Sequence, residues 1–278
     1  MKSFLSITLA ILLFASLADA ATAVTEENAW QETYSVKMAA PKLQVSNIWG
    51  SVRVRAGKPG EISVEISERR SAPDLATFEL SMEILSLNIE ADASGVSIRV
   101  GDSNERWQRM NNCDGCRVDY QFEILVPPDA EIDVGTVLDG AIDIKAVAGQ
   151  VSASNVNGPI AVEDIHDCAT VNSVNGKVKL AFSKAPLRNC SIETINGDIT
   201  LDVPSNASLD VAIDLFNGDI KTDFPVGPFT LPATVEHTTD NGRNQYRIQQ
   251  LSGIRIGAGG PTYSIASMNG DVRIQKLK

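Results

Sequence analysis

The chain has 278 residues, with 24 Lys and Arg against 35 Asp and Glu, a formal net charge of −11 at neutral pH and 5% aromatic residues. An acidic chain without any cluster of Lys or Arg excludes nucleic acid as a partner, and its charge repels it from anionic lipid surfaces. Beyond residue 20 no stretch approaches the roughly 20 uninterrupted apolar residues that a membrane-spanning helix needs, so no integral span is expected.

Residues 1–20 read as a secretory signal: a basic start at Lys2, an apolar run from Phe4 to Leu17, and the small-x-small site Ala18-Asp19-Ala20. Cleavage is expected after Ala20, with Ala23 as a second site. It removes Lys2 and Asp19 together and leaves the net charge at −11. The protein is therefore expected to be exported, to the periplasm or the cell surface of a bacterium. Residues 21–42 are polar and lack a period, which suits an N-terminal arm or cap, or a first irregular strand.

From Leu43 onward, apolar and polar residues alternate. Leu43 to Val45, Val52 to Val54, Ile62 to Ile66, Leu85 to Ile89 and Val96 to Val100 each present one apolar face and one wet face, the pattern of half-buried strands. The one helix candidate, Pro73 to Met82, is short. Residues 101–117 interrupt the strands as an excursion loop carrying Arg106-Trp107-Gln108-Arg109 and the pair Cys113-Asp114-Gly115-Cys116. Strands resume at Val118.

A repeat runs through this pattern. Gly50, Gly140, Gly158, Gly176, Gly197, Gly218 and Gly270 each begin a Gly-x-Ile/Val motif, and the last five of them follow an Asn. From Gly140 to Gly218 the spacings are 18, 18, 21 and 21 residues, which fits one coil of a β-solenoid. Asn-Gly supplies a sharp corner, and identical corners at near-constant spacing favour stacked coils over hairpins. The fold class expected is all-β, a single-stranded parallel β-helix over 43–278. In it Ile199 and Leu201 stack over Val178 and Leu180, which stack over Ile160 and Val162. Residues 21–43 are expected to cover one end. The polar tail after Asn269-Gly270-Asp271 would form the other, protected edge. Between Gly218 and Gly270, a loop with Pro225, Pro228 and Pro232 and a further coil around Ile254 to Gly257 are expected.

On three stretches the chain resembles a bacterial family of exported proteins described as "putative adhesins" (domain of unknown function 4097). These are Tyr120 to Pro128 leading into Ile132-Asp133-Val134, the serial Asn-Gly corners, and Ile256 to Gly260 leading into Ile265 to Ile274. The resemblance covers roughly residues 43–278. It implies a right-handed solenoid and brings no catalytic residues with it.

Four cysteines in an exported chain read as two disulfides. Cys113 and Cys116 would form a local one. Cys168 and Cys190, 22 residues apart, would staple neighbouring coils, because strands about 4.8 Å apart bring Cα atoms within disulfide range. A redox or zinc reading of Cys113 and Cys116 lacks its context, and neither His166 nor His237 is near in sequence. After the corner glycines stand Lys177, Asp198, Asp219 and Asp271. Asp198 over Asp219 is mildly repulsive, a contact that calcium would relieve and that local turn hydrogen bonding explains more simply. No cofactor and no metal are expected.

Two functions fit. The first is a non-enzymatic, adhesin-like interaction or scaffold protein, with a protein or glycan of the cell envelope as partner and Trp107, Arg106 and Arg109 as a contact surface. The second is a carbohydrate-active enzyme, a polysaccharide lyase or hydrolase, working with Asp139, Asp143, Asp164, Asp167, Asp210 or Asp214.

Overall fold

A computed structural model describes residues 23–101, 113–185, 187–240, 243–249 and 252–277. The signal segment 1–20 and Arg106, Trp107 and Arg109 lie outside the described residues. The first half contains β1 (Val24–Ser35), β2 (Lys42–Ser46), β3 (Val52–Ala56), β4 (Glu61–Ala72), helix α1 (Leu75–Ile84), β5 (Leu87–Ala91), β6 (Gly95–Val100), β7 (Arg117–Val126) and β8 (Glu131–Thr136). The repeat supplies β9 (Ile142–Lys145), β10 (Val151–Asn157), β11 (Ile160–Ile165), β12 (Ala169–Asn175), β13 (Val178–Phe182), β14 (Cys190–Asn196), β15 (Ile199–Val203), β16 (Leu209–Asn217) and β17 (Ile220–Thr222). There follow β18 (Val226–Thr230), β19 (Thr234–Asp240), β20 (Arg243–Gln249), β21 (Ser252–Ile256), β22 (Thr262–Asn269) and β23 (Val272–Lys276).

These strands build two large sheets. One has ten strands in the order β1-β4-β7-β3-β9-β11-β13-β15-β23-β17, and the other has eleven in the order β18-β21-β16-β22-β14-β12-β10-β8-β2-β6-β5. In the middle, each corner glycine passes the chain from the eleven-stranded sheet to the ten-stranded one, and neighbouring strands are parallel. The inward residues stack in columns, with Val52, Ile142, Ile160, Val178, Ile199 and Val272 in one and Val54, Ile144, Val162, Leu180, Leu201 and Ile274 in the next. All twelve are 1% exposed or less. The stacking of Ile199 and Leu201 on Val178 and Leu180 is the register expected from the corner spacing.

The expectation of a single-stranded parallel right-handed β-helix over 43–278 is nevertheless overturned, because both sheets are mixed. β1, β4 and β7 pair antiparallel, as do β5 with β6, β16 with β21 and β18 with β21. The cause is local. Between β5 and β6, Asp92 accepts hydrogen bonds from the Ser94 and Gly95 N–H groups and closes a tight reversal, which delivers the next strand antiparallel. Strand alternation carries no direction, so the same pattern served both senses. Residues 24–35, expected to be irregular, form a regular twelve-residue strand at the edge of the ten-stranded sheet. The coil expected around Ile254 is β21, which runs antiparallel to both its neighbours.

A second correction concerns order. β22 and β23 do not form an outer edge. They insert between β14 and β16 and between β15 and β17 respectively, so Asp271 sits between Asp198 and Asp219. Its N–H donates to Asp198 Oδ1 at 3.1 Å, and its own Oδ1 accepts from Asp219 N–H at 3.0 Å. The aspartates thus bind backbone N–H groups of the neighbouring strand.

The corner glycines form one stack across these strands. A Cβ built on Gly140 would lie 2.0 Å from Gly50 O, on Gly158 2.0 Å from Gly140 O, on Gly176 2.0 Å from Gly158 O and on Gly197 2.0 Å from Gly176 O. Gly270 continues the series onto Gly197 O at 2.1 Å, and Gly218 onto Gly270 O at 2.0 Å. No side chain fits where a backbone carbonyl already stands, so each corner excludes every residue but glycine. Gly176→Ala is expected to destabilise the protein by about 1–3 kcal/mol through overpacking. Gly227→Ala, where nothing lies within 4 Å, should be close to neutral. Urea midpoints of the two variants check this, and equal midpoints would refute the steric account.

Candidate functional site

A groove of about 640 Å³ lies on the outer face of the eleven-stranded sheet, running across β2, β8, β10, β12, β14, β22 and β16. It arises from the repeat. Within each strand the residues before the corner alternate inward and outward, and parallel register lines up equivalent positions along the groove.

The outward position four residues before each Asn-preceded corner glycine gives a column of Ser154, Asn172, Glu193, Ala266 and Asp214, which Gly135 of β8 continues in register with Ser154. Two residues further on stands a solvent-facing apolar stripe, Val156, Val174, Ile195, Met268 and Phe216, with Val137 continuing it on β8. Phe216 is 80% exposed and Met268 53%, so the stripe is not covered by the chain's own side chains. Next along each strand comes an amide ladder. Asn175 Nδ2 donates to Asn157 Oδ1 at 3.0 Å, Asn196 to Asn175 at 2.8 Å, Asn269 to Asn196 at 2.8 Å and Asn217 to Asn269 at 3.0 Å. Asn175, Asn196 and Asn269 each both donate and accept along the ladder, as in the stacked amides of cross-β structures.

Behind the stripe the inward positions are polar. Thr136, Asn155, Ser173, Thr194 and Ser267 form a buried column in register. Thr136 Oγ1 donates to Gly50 O at 3.2 Å, and Asn155 Nδ2 to Gly140 O at 2.8 Å, which ties the groove floor to the glycine stack. Among the described residues the hydroxyls of Ser173, Thr194 and Ser267 meet no hydrogen-bond partner.

The expected catalytic carboxylates are not brought together. Asp143 pairs with Arg55, Asp139 with Arg117 at 3.0 Å and Asp167 with Arg188 at 3.3 Å, at separate places on the surface. Asp210 is buried and held by Arg255 through Nε at 2.7 Å and Nη2 at 2.9 Å. That guanidinium keeps its carboxyl below the usual carboxylate range. Only Asp214 belongs to the groove, with Glu193 as a second acid that the sequence reading did not single out. His237 stacks on Tyr246 in the β19–β20 hairpin and bonds Asn244 at 3.0 Å.

A smaller cavity of about 240 Å³ lies beside α1 and includes Trp30, Glu68, Arg70 and Tyr120. Arg70 is fully engaged there. It binds Glu68, Ser81 O and Oγ, Leu85 O and the Tyr120 hydroxyl, and so clamps the end of α1 to β4. Burial, followed by the Glu68 charge, pushes the Tyr120 hydroxyl up.

Cys113 and Cys116 are joined by a disulfide, with Cα atoms 5.5 Å apart. Cys168 and Cys190 are thiols, both buried; Cys168 Sγ donates to Asn189 O at 2.6 Å, Cys190 Sγ accepts from Ala169 N–H at 3.3 Å, and the two thiols lie against each other. That contact and burial raise Cys168, whereas the same contact lowers Cys190.

The groove has a legible signal in the sequence. An apolar residue stands immediately before the Asn in all five Asn-Gly corners, and strand parity puts it on the solvent side.

No protein-family model matches the chain, and no curated protein matches it. Among solved structures it is similar to a "putative cell adhesion protein" from Clostridium sporogenes, with 10% identity over 90% of this chain and 100% of that one and a TM-score of 0.45. It is also similar to a "putative adhesin" from Parabacteroides distasonis, with 11% identity over 90% and 97% of the two chains and a TM-score of 0.24. At these scores the likeness assigns this chain neither a fold family nor a function.

Two outcomes are expected from this geometry. Asp210 has a lower pKa folded than unfolded, so its contribution is present above about pH 4 and is lost as pH falls through the folded value. The urea midpoint of Asp210→Asn should therefore lie below that of the parent at pH 6, with the difference shrinking toward pH 2; a constant difference would refute this linkage. Cys168 and Cys190 should close to a disulfide in an oxidising compartment, and alkylation with mass spectrometry of protein isolated from the envelope reads this directly. Closing that loop should add about 3 kcal/mol over Cys168→Ser. Four free thiols would refute both bridges.

Proposed function

We propose that this chain is an exported, non-enzymatic interaction protein of the bacterial envelope, adhesin-like in holding a partner at a surface, and that the groove is where the partner sits. The observation that carries this reading is the exposed apolar stripe from Val137 to Phe216, flanked by a polar column on one side and an amide ladder on the other. Isolated exposed apolar residues are ordinary, but a contiguous row rimmed by polar groups marks an interaction surface. The signal-like residues 1–20 support export. The dispersal of Asp139, Asp143, Asp167 and Asp210 into separate ion pairs supports binding without turnover.

A surface built from equivalent positions distributes its affinity. Single alanine variants at Val156, Ile195 and Met268 should each weaken binding to insoluble envelope polymer by about two- to fivefold, and Ile195→Lys should weaken it further. Co-sedimentation with envelope material reads this series. Unchanged binding in Ile195→Lys would overturn the groove as the site. Release of soluble sugar by the pure protein, abolished by a single carboxylate variant, would overturn the non-enzymatic reading.

A further inference from the structure

The inference below rests on the groove being the binding surface and names what it binds. Among the described residues the charged groups lining the groove are Glu193 and Asp214, with no Lys or Arg beside them in the lining. Both carboxylates are exposed, and among the described residues neither is engaged by a cation; Glu193 accepts only a long bond of 3.5 Å from the Ser191 hydroxyl. An open acidic groove with an apolar stripe is complementary to a ligand that carries positive charge and also has an apolar face.

Spacing narrows the class. Glu193 and Asp214 both stand opposite Ala266, on the two sides of β22, so they are two strand spacings apart, about 9.6 Å. The small side chain of Ala266 leaves the space between them open. A polymer lying along the groove meets one equivalent position every ~4.8 Å, whereas an extended peptide presents like-facing side chains every ~6.7 Å and falls out of step. A β-1,4-linked hexose chain advances by roughly one strand spacing per sugar. Each sugar is flipped relative to the last, so groups on one edge recur at every second sugar, the interval between Glu193 and Asp214. The faces of its rings carry C–H groups suited to Val174, Ile195 and Met268. A cation on such an edge is the ammonium group of a glucosamine unit without its acetyl group.

We propose that the groove binds a partly de-N-acetylated β-1,4-linked aminoglycan, with ammonium groups of alternate sugars meeting Glu193 and Asp214 and ring faces lying on the apolar stripe.

The probe is a β-1,4-glucosamine hexamer, titrated calorimetrically against the purified protein at mildly acidic pH. Its fully N-acetylated counterpart, cellohexaose and an oligolysine of equal charge serve as comparisons. The hexamer should bind, and the two uncharged sugars should bind at least severalfold more weakly. Glu193→Gln and Asp214→Asn should each cost about three- to fivefold, with attenuation by salt. Because the whole protein is acidic, the control is Glu79→Gln with Glu90→Gln, two exposed carboxylates away from the groove, which should leave affinity unchanged. Equal losses in the control and groove variants, oligolysine binding as tight as the hexamer's, or no hexamer binding would each overturn the aminoglycan assignment. If Ile195→Lys still abolishes binding to envelope polymer in that case, the groove reading stands and only the ligand class falls.

Discussion

Close approach of backbone to backbone at the corners governs this molecule. Where the Cβ of each repeat glycine after Gly50 would stand, the carbonyl oxygen of the stacked glycine lies only about 2 Å away, from Gly140 on Gly50 through to Gly218 on Gly270. The approach fixes the height between neighbouring rungs. It also fixes the register in which Val178 meets Ile199 and Ser173 meets Thr194. From that register follow the apolar columns between the sheets, the amide ladder at the corner, and the alignment of Val156, Val174 and Ile195 into one stripe. The proposed interaction surface is thus a by-product of a steric rule inside the fold. Few side chains had to be chosen for it individually.

How far this was legible depends on what each residue encodes. Alternation at Ile199 and Leu201, timed by the corner glycines, contained the pairing with Val178 and Leu180, because period and phase are both written in one strand. Direction is not written there. Ile62 to Ile66 and Val96 to Val100 alternate as the repeat strands do, yet they sit in antiparallel pairs. Neighbour identity is not written either, since Asn217-Gly218-Asp219 and Asn269-Gly270-Asp271 are interchangeable as corners. The parity argument that reveals the stripe needed only the five Asn-Gly motifs. The pairing of Glu193 with Asp214 across Ala266 needed the strand order.

The sheet edges show how the fold limits its own growth. β17 is only three residues long and carries Lys221 in an ion pair with Asp271. β18 contains Pro228, which lacks an N–H, and β1 carries Glu26, Glu27 and Glu32. Short strands, proline and charge each discourage a further chain from pairing, which suits a protein whose interior could otherwise be extended by repetition.

The insertion of β22 and β23 bears on how the molecule is made. Residues 209–222 rest on strands whose paired residues are synthesised 52 positions later, as Asp210 with Thr262 and Ile220 with Val272, so the rung they form cannot dock when it emerges. The earlier rungs, from β8 to β15, have their sequence neighbours at hand and can stack as they appear, but the face presented by β14 and β15 waits for β22 and β23. Domain assembly during synthesis ordinarily proceeds from the N-terminus. Here the last described strands act as a keystone, and an interrupted chain leaves the sheets parted in their middle, with Ile192 and Leu201 facing an empty place.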